Sequence, residues 1–424
     1  MSKLTKLLNN PSLFFKDFFA KRFYKAEISN QVTNQDHNDN DGRELVFAFH
    51  INDWKRNFIS DFLVEKKIIF VPIAVSKNSS DANKWKKIIA KNQNASLLIW
   101  GINIPKIFDD LSNKRFYVED GFIRSVGLGA SHTLPFSLTI DESTPYFDST
   151  KPSDMETMLS TYDFSSESEL LLRARKIINK IVETGISKYN NTDFLDKNIY
   201  GVKKEKRILV IGQVEDDASI KYGSLKKYTN NDLVHIARME NPEAEIFYKP
   251  HPDVVAMKRK ELSNPHDVSH LCKLLLDDIP LAQAFETVDH VYTITSQAGF
   301  EALMRGIKVT TVGAPFYSGW GLTDDRQKII RRNRNLSLEQ VFAVAYILYP
   351  IYFNPFHKEK ISIEEAIDQL LVMRDLSNSA KKNSLNDQVL ELKKDDELIH
   401  KNDAIQMILS SIKSDVQKIE SLIK

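Results

Sequence analysis

Two series of short apolar runs, each run followed by a helix-length stretch, constrain this chain more than any other feature. Residues 45–49 (LVFAF), 67–71 (KIIFV), 95–100 (ASLLIW) and 115–118 (RFYV) have the length and the β-branched or aromatic content of buried parallel strands. Helix-length segments at 53–63, 80–91 and 105–112 separate them. A second series runs through 207–211, 245–248, 290–294 and 308–312. Between the two lie a helical stretch at 167–188 and a polar connector at 189–206. A strand–helix alternation of this kind builds parallel sheets covered by helices, so the chain reads as α/β, with two Rossmann-type domains facing a central cleft.

The boundaries expected from this pattern are 44–200 for a first domain and 201–333 for a second. Closing helices follow at 334–382, with a return to the first domain as one option, and a charged helical tail occupies 383–424. Ahead of the first strand, 29–43 is rich in Asn, Asp and Gln and reads as a flexible linker. Residues 1–28 interleave Lys and Arg with Leu and Phe. That pattern fits two short helices broken at Asn10-Pro11, lying either in an anionic headgroup layer or on the protein's own domain.

Charge and cysteine content narrow the class. Lys and Arg number 58 against 57 Asp and Glu, so no overall field favours nucleic acid. The single cysteine, Cys272, allows no internal disulfide and fits a reducing compartment. No apolar run approaches the roughly 18 residues that span a bilayer, and no signal peptide is evident. The expectation is a soluble cytoplasmic protein, with peripheral contact at the cytoplasmic face of the inner membrane as an option.

Four motifs place chemistry beside strand ends, where open α/β sheets bind ligands. Glu119-Asp120-Gly121 follows the 115–118 strand. Adjacent carboxylates raise each other's pKa, which suits general acid/base work, although acidic residues there also form ordinary turns. Gly121 would allow a tight turn. Gln213-Val214-Glu215-Asp216-Asp217 follows the first strand of the second series, and Ser219 lies just beyond it. Its three carboxylates repel one another unless a positive group approaches, and solvated clusters of this kind are common. Lys249-Pro250-His251-Pro252 ends the next strand, where prolines on both sides hold the imidazole towards an anion and Lys249 adds a cation. Thr295-Ser296-Gln297-Ala298-Gly299 reads as strand, turn and helix start, either a phosphate seat or a plain N-cap. Glu301 could accept ribose hydroxyls or face solvent. Arg124 could grip a carboxylate with its forked guanidinium.

The segments VEDGFIRSVGLGASH (118–132), GQVEDDASI (212–220), YKPHPD (248–253) and TSQAGFEALMRGIKVTTVGAPFYSGWGLTDD (295–325) resemble the bacterial capsule β-Kdo transferases of the KpsC/KpsS type. The resemblance covers roughly residues 44–370. It implies a GT-B-like fold and a retaining transfer of Kdo from CMP-β-Kdo to a glycan acceptor. On that resemblance Asp217 is the nucleophile that forms a covalent Kdo adduct, and Glu119 is the acid/base. His251, Ser296, Lys249 and Gln213 serve the CMP phosphate side, and Glu301 the cytidine ribose. Arg124, Asp120 and Ser219 belong to the substrate carboxylate or the cleft wall. No metal or other cofactor is implied. Glu215 and Asp216 rival Asp217 as nucleophile, and Asp120 rivals Glu119. The acceptor could be a lipid-linked primer, a growing capsule chain or a lipopolysaccharide core, and capsule assembly machinery could be a partner. Two other readings stand beside this one: a sialyltransferase-like enzyme using another CMP-activated ulosonic acid, and a non-catalytic capsule assembly subunit.

Overall fold

In a computed structural model of the protein, residues 42–76, 79–127, 133–190, 198–255 and 262–394 are described. The 1–28 and 29–43 segments lie almost wholly outside that set, as does the tail beyond Lys394. The first sheet contains β1 (Glu44–Phe49), β2 (Lys66–Phe70), β3 (Ser96–Trp100), β4 (Arg115–Asp120) and β5 (Ser137–Asp141). The second contains β6 (Arg207–Ile211), β7 (Glu245–Lys249), β8 (Lys273–Leu274), β9 (His290–Thr293), β10 (Lys308–Thr311) and β11 (Asp324–Asp325). Two later strands, β12 (Ile351–Asn354) and β13 (Glu359–Lys360), complete the first sheet.

The second sheet runs β11-β10-β9-β6-β7-β8 with every neighbouring pair parallel. This is the doubly wound order, and the strand sequence reverses between β6 and β9. A crevice opens at that point beyond the strand ends. Gln213, just past β6, bridges it: its Nε2 donates to Thr295 Oγ1 at 3.1 Å, and its Oε1 accepts from the Thr295 N–H at 2.8 Å.

The first sheet runs β13-β12-β5-β4-β3-β1-β2. β1, β3 and β4 are parallel neighbours, whereas β5, β12 and β13 join antiparallel. The expected closing helices at 334–382 therefore also contain two strands. Ile351 pairs with Leu138, which carries the chain back onto the first domain as an edge of its sheet. The expected helix at 105–112 is only a 3₁₀ turn, Lys106–Phe108. Pro105 precedes that turn, and Asn113 is diverted to cap the β3 entry, where its side chain donates to the Ala95 and Asn92 carbonyls.

Helices cover both sheets. Ser168–Thr184 stops at Gly185, whose φ of +67° is the left-handed conformation that ends helices at low strain. One apolar core joins residues from both halves. At its centre Phe122 stacks on Tyr346 at 5.1 Å, Tyr346 on Phe342 at 4.6 Å, and Phe300 meets Phe316 at 5.3 Å. Phe122 directly follows the Glu119-Asp120-Gly121 turn, and Phe300 lies in the helix Gln297–Met304. Packing these rings together fixes a first-domain motif against a second-domain one. Among the described residues no helix is long and apolar enough to cross a membrane.

Candidate active site

A cavity of about 1050 Å³ opens between the two sheets, and the strand ends of both line it. All ten site residues expected from the sequence border it: Glu119, Asp120, Arg124, Gln213, Asp217, Ser219, Lys249, His251, Ser296 and Glu301.

Glu119 and Asp120 end β4 rather than following it, because the antiparallel pairing with β5 extends the strand to Asp120. Gly121 serves close packing rather than an unusual turn. A Cβ there would sit 2.2 Å from Ser137 Oγ, and the Gly121 N–H donates to the Ser137 carbonyl at 3.0 Å. The two carboxylates differ in surroundings. Asp120 faces Arg124 Nε at 3.0 Å, and that guanidinium is fully buried. Arg124 Nη1 donates to Ser125 Oγ at 2.7 Å, so Arg124 grips Asp120 through one arm rather than two. Glu119 has no such partner among the described residues. Burial raises its carboxyl to a pKa of about 7; Asp120 and, from across the cleft, Asp217 push the same way, while Lys55 and Lys188 oppose. Of the two, Glu119 is the carboxyl suited to moving a proton near neutrality.

The three consecutive acids separate clearly. Glu215 is held structurally, accepting from the Asn230 N–H at 2.6 Å and from Ser263 Oγ. Asp216 is exposed and does not line the cavity. Asp217 caps the helix Ala218–Gly223, with Oδ1 accepting from the Ser219 N–H at 2.9 Å. That bond orients the carboxylate, while the second oxygen makes no hydrogen bond with a described residue.

The opposite wall carries a lysine, a histidine and several hydrogen-bond donors. His251 begins a short turn of helix after β7, where its carbonyl accepts from the Val254 and Val255 N–H groups at 3.0 and 3.1 Å. Lys249 is buried, and desolvation lowers its pKa against the pull of Asp278 and Asp277. Ser296 caps the helix Gln297–Met304, with Oγ accepting from the Ala298 N–H at 3.2 Å. Its carbonyl accepts from Tyr317 Oη at 2.6 Å, and a Cβ on Gly299 would collide with that same hydroxyl at 2.1 Å. Gln297 Nε2 donates to the Phe122 carbonyl at 3.0 Å, which ties this helix start to the acidic turn. Glu301 lies one turn in, buried rather than facing solvent. It accepts from Ser187 Oγ at 3.0 Å, and burial raises its pKa to about 7 against Arg305 and Ser187.

Sequence reading missed Lys55, Lys188 and Tyr146. Lys55 follows β1 and sits 3.0 Å over the Trp100 ring at the end of β3, the point where the first sheet also reverses its order. A lysine beside Trp54 just past the first strand was the available signal. Burial lowers its pKa to about 8, with Asp120 and Glu119 opposing. Lys188 stands on a loop folded by Asn190, whose side chain accepts from the Ser187 N–H at 2.8 Å and donates to the Ser125 carbonyl at 3.1 Å. Burial works against its charge, yet Tyr146, Tyr189, Asp120 and Glu119 together hold its pKa above the ordinary lysine value. Burial pushes Tyr146 up to about 12. Nothing in the local sequence marks Lys188 or Tyr146. Arg374, Asp375 and Asn378 of the helix Ile363–Lys394 also reach the cavity. Among the described residues no group of three or more His, Cys, Asp or Glu could hold a metal ion.

The family model described as capsule polysaccharide biosynthesis protein matches residues 106–352. The chain belongs to the capsule polysaccharide biosynthesis family. It is 42% identical over 332 residues to the lipopolysaccharide-processing protein LpsZ of Rhizobium meliloti, covering 77% of this chain and 74% of that one. It is 37% identical over 346 residues to the capsule polysaccharide modification protein LipA of Neisseria meningitidis, and spans 47% of that longer protein. Among solved structures it is similar to the beta Kdo 2,4 transferase of Thermosulfurimonas dismutans KpsC, with a TM-score of 0.65 and 30% identity over 78% of this chain and 98% of that one. The beta Kdo 2,7 transferase of the same KpsC gives a TM-score of 0.60 and 33% identity over 78% and 100%. The family is therefore of the KpsC type, and its fold is GT-B-like.

Proposed function

We propose that this capsule-family protein is a retaining glycosyltransferase that moves Kdo from CMP-β-Kdo to a glycan acceptor. One observation carries the reading. Glu119 from the first domain and Asp217 from the second border one cavity, close enough that the Asp217 charge bears on the Glu119 carboxyl. Retention by double displacement needs this pair: a nucleophilic carboxylate and a second group that handles the proton. The KpsC likeness supports Kdo as the sugar.

Asp217 attacks the anomeric carbon of the donor, its bond to that carbon forms, and the bond to the CMP phosphate oxygen breaks. The departing phosphate takes up the electron pair beside His251, Lys249 and the N-terminal end of the Gln297–Met304 helix, where cations and N–H groups favour negative charge. Because CMP leaves as a stabilised anion, little general-acid help is needed. The acceptor hydroxyl then loses its proton to Glu119 and attacks the same carbon, releasing Asp217. Two inversions return the original configuration. Lys188 holds a positive charge beside the acidic pair and limits the repulsion between Glu119 and Asp120. Glu301 faces the nucleotide side, with one carboxyl oxygen buried and accepting from no described residue at hydrogen-bond geometry.

Intact-mass measurement after incubation with CMP-Kdo, generated in situ, tests the scheme. The expected result is one added Kdo on the wild-type protein and none on Asp217→Ala. An adduct on Asp217→Ala, or one mapped to Asp216 or Glu215, would overturn the assignment. A parallel incubation with CMP-sialic acid tests the choice of sugar.

A further inference from the structure

We propose that the face carrying Leu225 and Ile330 docks on the surface of an anionic phospholipid bilayer. Both side chains are large, apolar and outside the core, 78% and 95% exposed. They stand on two loops held side by side: the Leu225 N–H donates to Gln327 Oε1 at 2.7 Å, and Gln327 Nε2 lies 3.4 Å from both the Gly223 carbonyl and Ser149 Oγ. Lys221 in the last turn of the helix Ala218–Gly223, Lys226 and Lys227 on the loop after it, and Lys328 on the other loop are all exposed. None of these four lysines forms an ion pair with a described residue. The acids of the neighbouring strand are already occupied. Asp324 pairs with Arg326 at 2.9 Å, and Asp325 accepts from the Gly319 N–H, Thr311 Oγ1 and Thr323 Oγ1.

Two exposed aliphatic side chains, with four lysines on the same two segments that make no ion pair with a described residue, match a headgroup layer, which takes the apolar tips while its phosphates take the ammonium groups. A protein partner would be expected to offer a wider apolar contact than two isolated tips. The position also has a use. Leu225 follows the helix Ala218–Gly223, whose cap is Asp217, and six residues of helix span about 9 Å. Tyr222 on that helix donates to Asn103 Oδ1 of the first domain at 2.9 Å, across the cleft. Docking through this face would hold the cavity mouth near the lipid headgroups, within reach of an acceptor carried on a lipid.

The test is co-sedimentation of the full chain with phosphatidylcholine vesicles, with and without phosphatidylglycerol. The wild-type protein should partition onto the phosphatidylglycerol vesicles only. Lys226→Glu/Lys227→Glu/Lys328→Glu should lose at least about a hundredfold in partitioning, from roughly fivefold per lysine. Leu225→Ser/Ile330→Ser should also bind more weakly, and both should keep wild-type transfer to a soluble acceptor. Should the charge variant melt lower than wild type, the serine pair decides. Unchanged partitioning in the deciding variant would overturn the proposal by leaving membrane contact to the 1–28 segment. Equal binding to neutral vesicles, or a wild-type dimer that the serine pair dissociates in the absence of lipid binding, would overturn it too.

Discussion

Replacing Glu119 with Gln should stabilise the fold while abolishing productive transfer. The carboxyl has a pKa of about 7 in the folded protein, well above its ordinary 4.5. At about 1.36 kcal/mol per unit, ionising Glu119 in its pocket costs about 3 kcal/mol relative to the unfolded chain. The sign follows from proton binding. Between pH 4.5 and 7 the folded state holds this proton more tightly, so its contribution to stability falls as pH rises and reaches its full cost above 7. Glutamine mimics the neutral acid and never ionises. With roughly 2 cal/mol/K of unfolding entropy per residue over 424 residues, 3 kcal/mol corresponds to about 3 to 4 °C in melting temperature. Thermal melts of both proteins should show this gap at pH 8 and its near disappearance at pH 5. The covalent Kdo adduct should accumulate in Glu119→Gln, because its capture by the acceptor lacks a base. A gap that is absent, reversed or independent of pH would refute the account of a desolvated, ionised Glu119.

Lys55→Met removes a charge that favours the Glu119 carboxylate, so the acidic limb of the transfer rate against pH should move up by about one unit. An unmoved limb would mean that Lys55 and Glu119 do not interact in the working enzyme. Gly121→Ala places a methyl 2.2 Å from Ser137 Oγ and should destabilise by about 1 to 3 kcal/mol, with partial recovery when combined with Ser137→Gly. Denaturant melts read both, and a neutral Gly121→Ala would show that the β4–β5 corner yields easily.

Much of the architecture was legible because buried parallel strands are apolar on both faces and announce themselves as short continuous runs, as 207–211 and 245–248 do. β12 was not legible in this way. Residues 351–354 are a strand only because Ser137 and Leu138 offer an edge more than two hundred residues earlier. At the site, Pro250-His251-Pro252 and the Ser296 cap carry local signatures, whereas the choice among Glu215, Asp216 and Asp217 has none. Asn230 and Ser263 hold Glu215 away from the cavity lining, and both lie beyond the range of any local pattern.

The order of residues alone determined the two α/β halves, the strand-end placement of the acidic and histidine motifs, and the near-balance of charge. Those properties depend on side-chain polarity and on spacing within a few positions. Tertiary structure alone decided which acid of the 215–217 run faces the cavity, that Arg124 is held by Asp120, and that Lys55 and Lys188 bear on Glu119. Proton affinity and the exposure of a charge depend on everything within several ångströms, and in a doubly wound fold those neighbours come from distant parts of the chain.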